Sequence, residues 1–219
     1  MIYQRLHAAV TAAAAAEIHE MVASFFLADL MSGRSGLRAV WHPLGFACLP
    51  VLRDGDEGIC LHVWPELREP APRTTSPFHC HSWDLLSHVL YGTVGNQPVD
   101  ITAGDRYRVF EAQSTAAGDD LVATERLVDA YGRTPELWGG GQTYSLPAGV
   151  FHASVIGDGS VAATVVLGKH HPKRPDLTLG DPAQSTHRVT RRLCSAEETS
   201  AYAEMVAARI APFAGAAAR

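Results

Sequence analysis

Two histidines stand two residues apart in Phe78-His79-Cys80-His81-Ser82-Trp83-Asp84, and about seventy residues later Pro147-Ala148-Gly149-Val150-Phe151-His152 answers them. On a strand, positions i and i+2 project to the same face, because strand side chains alternate with period 2. A third histidine, placed shortly after a Pro-x-Gly turn, completes a three-nitrogen set inside a β-barrel. Imidazole triads of this kind hold iron, zinc, nickel or copper and leave coordination positions open for a substrate or O2. Alone, His79-x-His81 is no more than a chance pairing on a half-buried strand. The second segment is what turns the pair into a candidate metal site.

That second segment, Gly141-Gln142-Thr143-Tyr144-Ser145-Leu146-Pro147-Ala148-Gly149-Val150-Phe151-His152, fits G-x5-P-x-G-x-x-H at every defined position. The first continues from His81 through Ser87-His88-Val89-Leu90-Tyr91 to Gly92. Together, and in this order, they resemble the two motifs of the cupin superfamily over about residues 76–168. The resemblance implies a mostly β chain built on a single cupin barrel (a double-stranded β-helix, or jelly roll) with flanking helices. It covers a little under half of the chain, and since cupins carry many unrelated activities it speaks more for fold than for chemistry.

Two positions depart from the family pattern. The glutamate that usually follows the second histidine after three or four intervening residues is replaced by Leu85 or Leu86, and the asparagine that often lies four residues beyond the last histidine is Ile156. Asp84 comes one residue too early and points away from His81 by simple alternation; only a β-bulge would bring it in as an additional ligand or outer partner. The resemblance therefore implies the three-histidine kind of cupin, with His79, His81 and His152 as the protein ligands.

The remaining chain is read around this centre. An apolar fraction of 47% and a charged fraction of 19% suit a globular enzyme, and a net charge of −5 with no basic stripe argues against nucleic-acid binding. Cys48, Cys60, Cys80 and Cys194 form no C-x-x-C pair, so free thiols in a reducing compartment are expected. The alanine run 8–16 leads straight into Glu17-Ile18-His19-Glu20 and reads as a helix opening, not an export signal. No apolar run approaches the ~18 residues of a membrane span. The expected location is cytoplasmic, with no membrane partner.

Periodicity predicts a helix over 11–31, with Ile18, Met21, Val22, Phe25, Phe26 and Leu30 on one stripe and a stop at Ser32-Gly33. Strands follow over 39–41 and 46–52, a hairpin turn at Arg53-Asp54-Gly55-Asp56, and a partner strand over 59–64. A proline-rich and charged loop spans 65–77. Further strands are expected over 85–94, 106–113, 121–128, 142–146, 154–156 and 161–167. A proline-rich stretch then reaches residue 190, and Ser195-Ala196-Glu197-Glu198 opens a last helix to about residue 210 with a capping box. The expected organisation is an N-terminal helical flank (1–36), a barrel (37–169), and a C-terminal loop and helix packing on it (170–219).

Several side chains are pocket candidates. Trp83 shares the parity of His79 and His81; Ser154 and Tyr144 share that of His152; His62 and Trp64 share a face that could reach the pocket mouth. Arg106 and Arg108 lie on one strand face, where an inward guanidinium would hold a carboxylate, although a solvated outer face is the plainer reading. Cys80 should point away from the histidines into sheet packing, as should Phe151. His88 is read as packing or surface, His42 as turn chemistry before Pro43, and His170-His171 as exposed loop.

Three neutral nitrogens leave Fe(II) with net positive charge and up to three open positions, enough for a bidentate substrate and O2 together. The leading expectation is a mononuclear non-haem iron oxygenase acting on a small organic molecule, similar in ligand set to the three-histidine thiol dioxygenases but with no indication of their substrate. The alternatives are a redox-neutral isomerase, lyase or decarboxylase using Zn, Ni or Mn as Lewis acid, and a non-catalytic small-molecule-binding barrel. The resemblance also implies a homodimer, for which the two phenylalanines of the N-terminal helix offer a surface.

Overall fold

The computed structural model describes residues 1–66, 74–115 and 118–214, without the side chains of 212–214; the middle of the 65–77 loop lies outside the described residues. Helices α1 (Ile2–Thr11), α2 (Ala15–Met21) and α3 (Ala28–Ser32) precede the strands, with a π-helical segment, Val22–Leu27, between α2 and α3. The strands are β1 (Val40–His42), β2 (Phe46–Asp54), β3 (Glu57–Trp64), β4 (His79–Cys80), β5 (Trp83–Tyr91), β6 (Thr93–Thr115) and β7 (Gly118–Gly132). They continue as β8 (Glu136–Gly139), β9 (Thr143–Leu146), β10 (His152–Val155), β11 (Ala162–His170), β12 (Asp176–Gly180), β13 (His187–Val189) and β14 (Arg192–Leu193), and helix α4 (Ala196–Ala214) follows.

Two antiparallel sheets result, as the resemblance implies. The first runs β14-β1-β2-β3-β11-β5-β9, and the second runs β10-β4-β12-β6-β7-β13 with β8 beside β6. Period-2 alternation divides the first sheet cleanly. Leu49, Ile59, Leu61, Val63, Leu90, Val165 and Leu167 meet the helices, contributed by Leu6, Ile18, Met21, Leu27, Val206 and Ile210. Cys60, Leu85, Leu146 and Val166 form a separate cluster on the opposite face, toward the second sheet. A strand covered on both faces must be apolar throughout; in β11 every residue from Ala162 to Gly168 is buried.

The predicted single helix over 11–31 is instead three pieces preceded by α1. The alanine run breaks at Ala13, which takes a left-handed φ of 52°, so α1 and α2 fold against each other and both lay apolar faces on the sheet. The π segment shifts the stripe, burying Val22, Phe26 and Leu27 while Phe25 remains 52% exposed. Gly33 ends α3 at φ 65° in the left-handed cap expected of it. The Gly55-Asp56 hairpin between β2 and β3 and the capping box of α4 also form, with the Glu198 N–H donating to Ser195 Oγ at 3.1 Å and the Ser195 N–H to Glu198 Oε2 at 2.6 Å.

Several strand expectations change: β6 starts at Thr93 where a strand was expected only from 106, and β8 was not expected. The segment 85–94 is broken at Gly92, whose φ is 78° and where a Cβ would lie 2.1 Å from the Val161 carbonyl oxygen; only glycine fits there. The stretch after residue 169, expected as loop, adds β12, β13 and β14 to the sheets, and β12 lies between β4 and β6. Its prolines and charges flank a short Leu177-Thr178-Leu179 core that gives almost no periodic signal.

Candidate metal centre

Strand register brings the histidines together. His152 on β10 is the Cα partner of His79 on β4, which places their side chains side by side across the ladder. His81 follows two residues later on the same face. The ring centroids are 4.4 Å apart for His79 and His152, 4.9 Å for His79 and His81, and 5.1 Å for His81 and His152. One ring nitrogen of each lies within 4.8 Å of the others.

Backbone carbonyls set two of the tautomers. His79 Nδ1–H donates to the Pro77 carbonyl at 2.9 Å, and His152 Nδ1–H to the Val150 carbonyl at 3.1 Å. A carbonyl only accepts, so both rings must carry the proton on Nδ1 and keep the Nε2 lone pair free for a cation. These partners, each two residues upstream of its histidine, carry no signature in the sequence because any residue supplies a carbonyl.

The turn before His152 is tied to the first motif. The Gly149 N–H donates to the His81 carbonyl at 2.9 Å, and the Val150 N–H to that of Pro147 at 3.2 Å. Gly149 has φ 82°, as the third position of such a turn requires. Asp84 braces the turn from outside: Oδ1 accepts the Ala148 N–H at 2.8 Å, and Oδ2 accepts from His171 Nε2 at 2.7 Å. The ladder of β5 is regular at this end, pairing Asp84 with Lys169 and Leu85 with Gly168, so no bulge turns Asp84 inward. It is a brace on the turn and not a fourth donor.

Burial lowers the proton affinity of all three rings. It is the main cause for each: His81 falls well below the ordinary histidine value, with charge repulsion from His79 and His152 adding to the effect, and His152 falls to about 3. His79 is lowered as well, partly offset by its carbonyl bond. Neutral imidazoles at physiological pH are what a divalent cation needs, since no proton must be displaced. Three nitrogens with no carboxylate suit Fe(II), Zn, Ni or Cu better than Mg or Ca; the donor set fits the implied metal.

The cluster opens into a cavity of about 460 Å³ between the sheets, within the range of small-molecule sites. Trp83 lies 5.0 Å from the His81 ring and sits directly on Gly168, where a Cβ would lie 2.0 Å from the indole. Tyr144 also lines the cavity, its phenol raised by burial with the Ser87 hydroxyl opposing, and it stacks on Trp138 at 5.7 Å. Ser154 and His62 line it as well. The remaining walls include Phe46, Trp64, Leu85 and Val166.

Arg106 and Arg108 are absent from these walls, which corrects their place as pocket candidates. Arg106 lies over the Tyr131 ring at 5.1 Å and pairs with Asp129, while Arg108 donates to the carbonyls of Pro182 at 2.9 Å and Thr124 at 2.6 Å. The outer-face reading, the plainer of the two, is the one these contacts agree with, and irregular register in β6 near both residues breaks any simple parity count. Cys80 is buried among Val99, Val109, Phe151 and Leu179, and burial raises its thiol to about 11. His88 is fully buried on the helix side of β5, its ring 6.3 Å from that of His19.

Several wall residues escaped the sequence reading. His42 stacks flat on Phe46 at 4.5 Å and faces the cavity, as do His170 and the ion pair of Arg191 with Asp119 at 2.5 Å. Arg191 lies in a segment expected as loop, and Asp119 is paired through distant chain. Cys48 and Cys60 also face inward; their shared hydrogen bond holds the Cys48 thiol well below its ordinary value and drives Cys60 up. Period-2 alternation of β2 and β3 could have identified both thiols.

No protein-family model matches the chain, and no curated protein matches it. Solved structures similar to it include the polyketide cyclase RemF from Streptomyces resistomycificus, at 17% identity and TM-score 0.38, covering 69% of this chain and 84% of that one. The DMSP lyase DddQ from Ruegeria pomeroyi matches at 14% identity and TM-score 0.36, covering 66% and 62%. A cupin-2 domain containing protein from Shewanella frigidimarina matches at 13% and 0.31, covering 64% and 90%.

Proposed function

We propose that the chain is a metal-dependent enzyme, a mononuclear non-haem iron oxygenase acting on a small, largely apolar organic molecule. The observation that carries this reading is the set of three closely spaced, neutral imidazoles with Asp84 turned away, at the wall of a cavity lined by apolar and polar side chains. His79, His81 and His152 would hold Fe(II), which supplies open positions at which substrate and O2 meet. Pro77 and Val150 fix the direction of two imidazoles through their carbonyls. Trp83, seated on Gly168, forms a flat wall beside His81 against which a planar substrate packs. Tyr144 and Ser154 offer hydroxyls for orienting polar groups, beside apolar walls that include Phe46, Trp64, Leu85 and Val166.

The test is an O2-uptake screen of small aromatic and aliphatic substrates with Fe(II)-loaded protein. The expected result is substrate-dependent uptake that His79→Ala/His81→Ala abolishes. Turnover at an undiminished rate without O2, supported equally by Zn or Mn, would replace this reading with Lewis-acid chemistry at the same three histidines.

A further inference from the structure

A second donor cluster lies in the wall of the same cavity. Cys48 on β2 is the Cα partner of His62 on β3, and Cys60 precedes His62 by two residues, so all three project from one face of one hairpin. Their donor atoms lie within 4.8 Å of one another, and Cys60 Sγ is 3.4 Å from His62 Nε2. Around zinc, with Zn–S of about 2.3 Å and Zn–N of about 2.0–2.1 Å at tetrahedral angles, sulfur and nitrogen ligands stand roughly 3.6 Å apart. The 3.4 Å contact, an Sγ···Nε2 hydrogen bond, is also close to the separation at which both atoms reach one cation.

We propose that Cys48, Cys60 and His62 form a binding site for a soft d10 cation such as Zn2+, with its fourth position open to the cavity. Three protein ligands plus one open position are the arrangement of catalytic, as opposed to purely structural, zinc sites. Thiolate ligands favour soft and borderline metals, Zn2+ among them. Charge balance agrees: two thiolates neutralise a divalent cation, so the filled site adds no net charge beside the apolar part of the wall at Phe46, Trp64, Leu85 and Val166. The donors need no rearrangement to assemble, because paired β2 and β3 hold them in register and Phe46 packs on the His62 ring at 4.6 Å. The plainer account, buried thiols with Cys60 hydrogen-bonded to His62, explains that pair but not why Cys48 is brought across the hairpin to within 4.8 Å of both. The site does not depend on the oxygenase reading.

Zn2+ titration of the full-length, fully reduced protein against a chromophoric chelator tests this, alongside Cys48→Ser/Cys60→Ser and His79→Ala/His81→Ala. The expected result is a zinc equivalent that survives His79→Ala/His81→Ala, is lost from Cys48→Ser/Cys60→Ser, and shields two thiols from a thiol reagent. His62→Gln, which keeps both thiols, should weaken that equivalent by more than about tenfold, and it serves if the double serine variant does not fold. Unchanged zinc binding in the cysteine and His62 variants, or thiols equally reactive with and without zinc, would overturn the site. Two equivalents in the wild type, one lost in each double variant, support both clusters. A single equivalent that only the cysteine variant loses supports this site and counts against the histidine cluster.

Discussion

Replacing His88 with leucine should make the protein markedly less sensitive to mild acid. His88 is fully buried, with Nδ1 2.9 Å from Thr143 Oγ1 and its ring facing His19. Burial lowers it from 6.5 to about 4, with the charge of His19 adding to the effect. A histidine whose folded value is depressed contributes stability that is fully present above the unfolded value, and that is lost as pH falls from about 6.5 toward 4 because the unfolded chain takes up a proton the native state refuses. With those two values, the loss between pH 7 and pH 5 is about 2 kcal/mol for this one residue. In a chain of this size that corresponds to about 4–8 °C in Tm. His19, also lowered by burial, acts in the same direction. Urea unfolding of wild type and His88→Leu at pH 7 and pH 5 measures the effect: the pH-dependent loss should shrink by about 2 kcal/mol in the variant. An equal loss in both proteins would refute the assignment of His88 as a buried neutral imidazole.

Four further substitutions examine how the centre is positioned. Asp84→Ala removes the acceptor for the Ala148 N–H; metal affinity should fall by about tenfold, as for other outer partners, measured by chelator competition, with His171→Ala giving a smaller effect through the same carboxylate. Gly149→Ala places a side chain at φ 82° and 2.8 Å from the Arg174 guanidinium, so a loss of about 1–2 kcal/mol is expected in chemical denaturation. Gly168→Ala should dislodge Trp83 from its seat, seen as a shift in tryptophan fluorescence with little change in metal content.

Much of the centre was readable because its chemistry is local. The His79-x-His81 spacing and the Pro147-x-Gly149 turn each specify a short geometry, and Gly92 and Gly149 sit where only a residue without Cβ is comfortable. What brings the two motifs into register is not local: the His79–His152 pairing spans 73 residues and depends on the whole barrel closing. Strand β12 was hidden because its three-residue core carries no period, although it sits beside β4 at the heart of the second sheet. The direction of Arg106 and Arg108 could not be read from parity alone, because β6 shifts register between Ala103 and Tyr107 and again between Arg108 and Phe110. The grouping of Cys48 and Cys60 with His62 leaves no trace in sequence spacing because it is made across a hairpin.

The most direct test of the account is the iron bound after anaerobic Fe(II) loading and desalting, by elemental mass spectrometry, in wild type and in His79→Ala/His81→Ala. The account predicts close to one iron per wild-type chain and almost none in the variant, with both proteins folded. Iron retained equally by the variant, or taken up by neither protein, would contradict a metal centre at His79, His81 and His152.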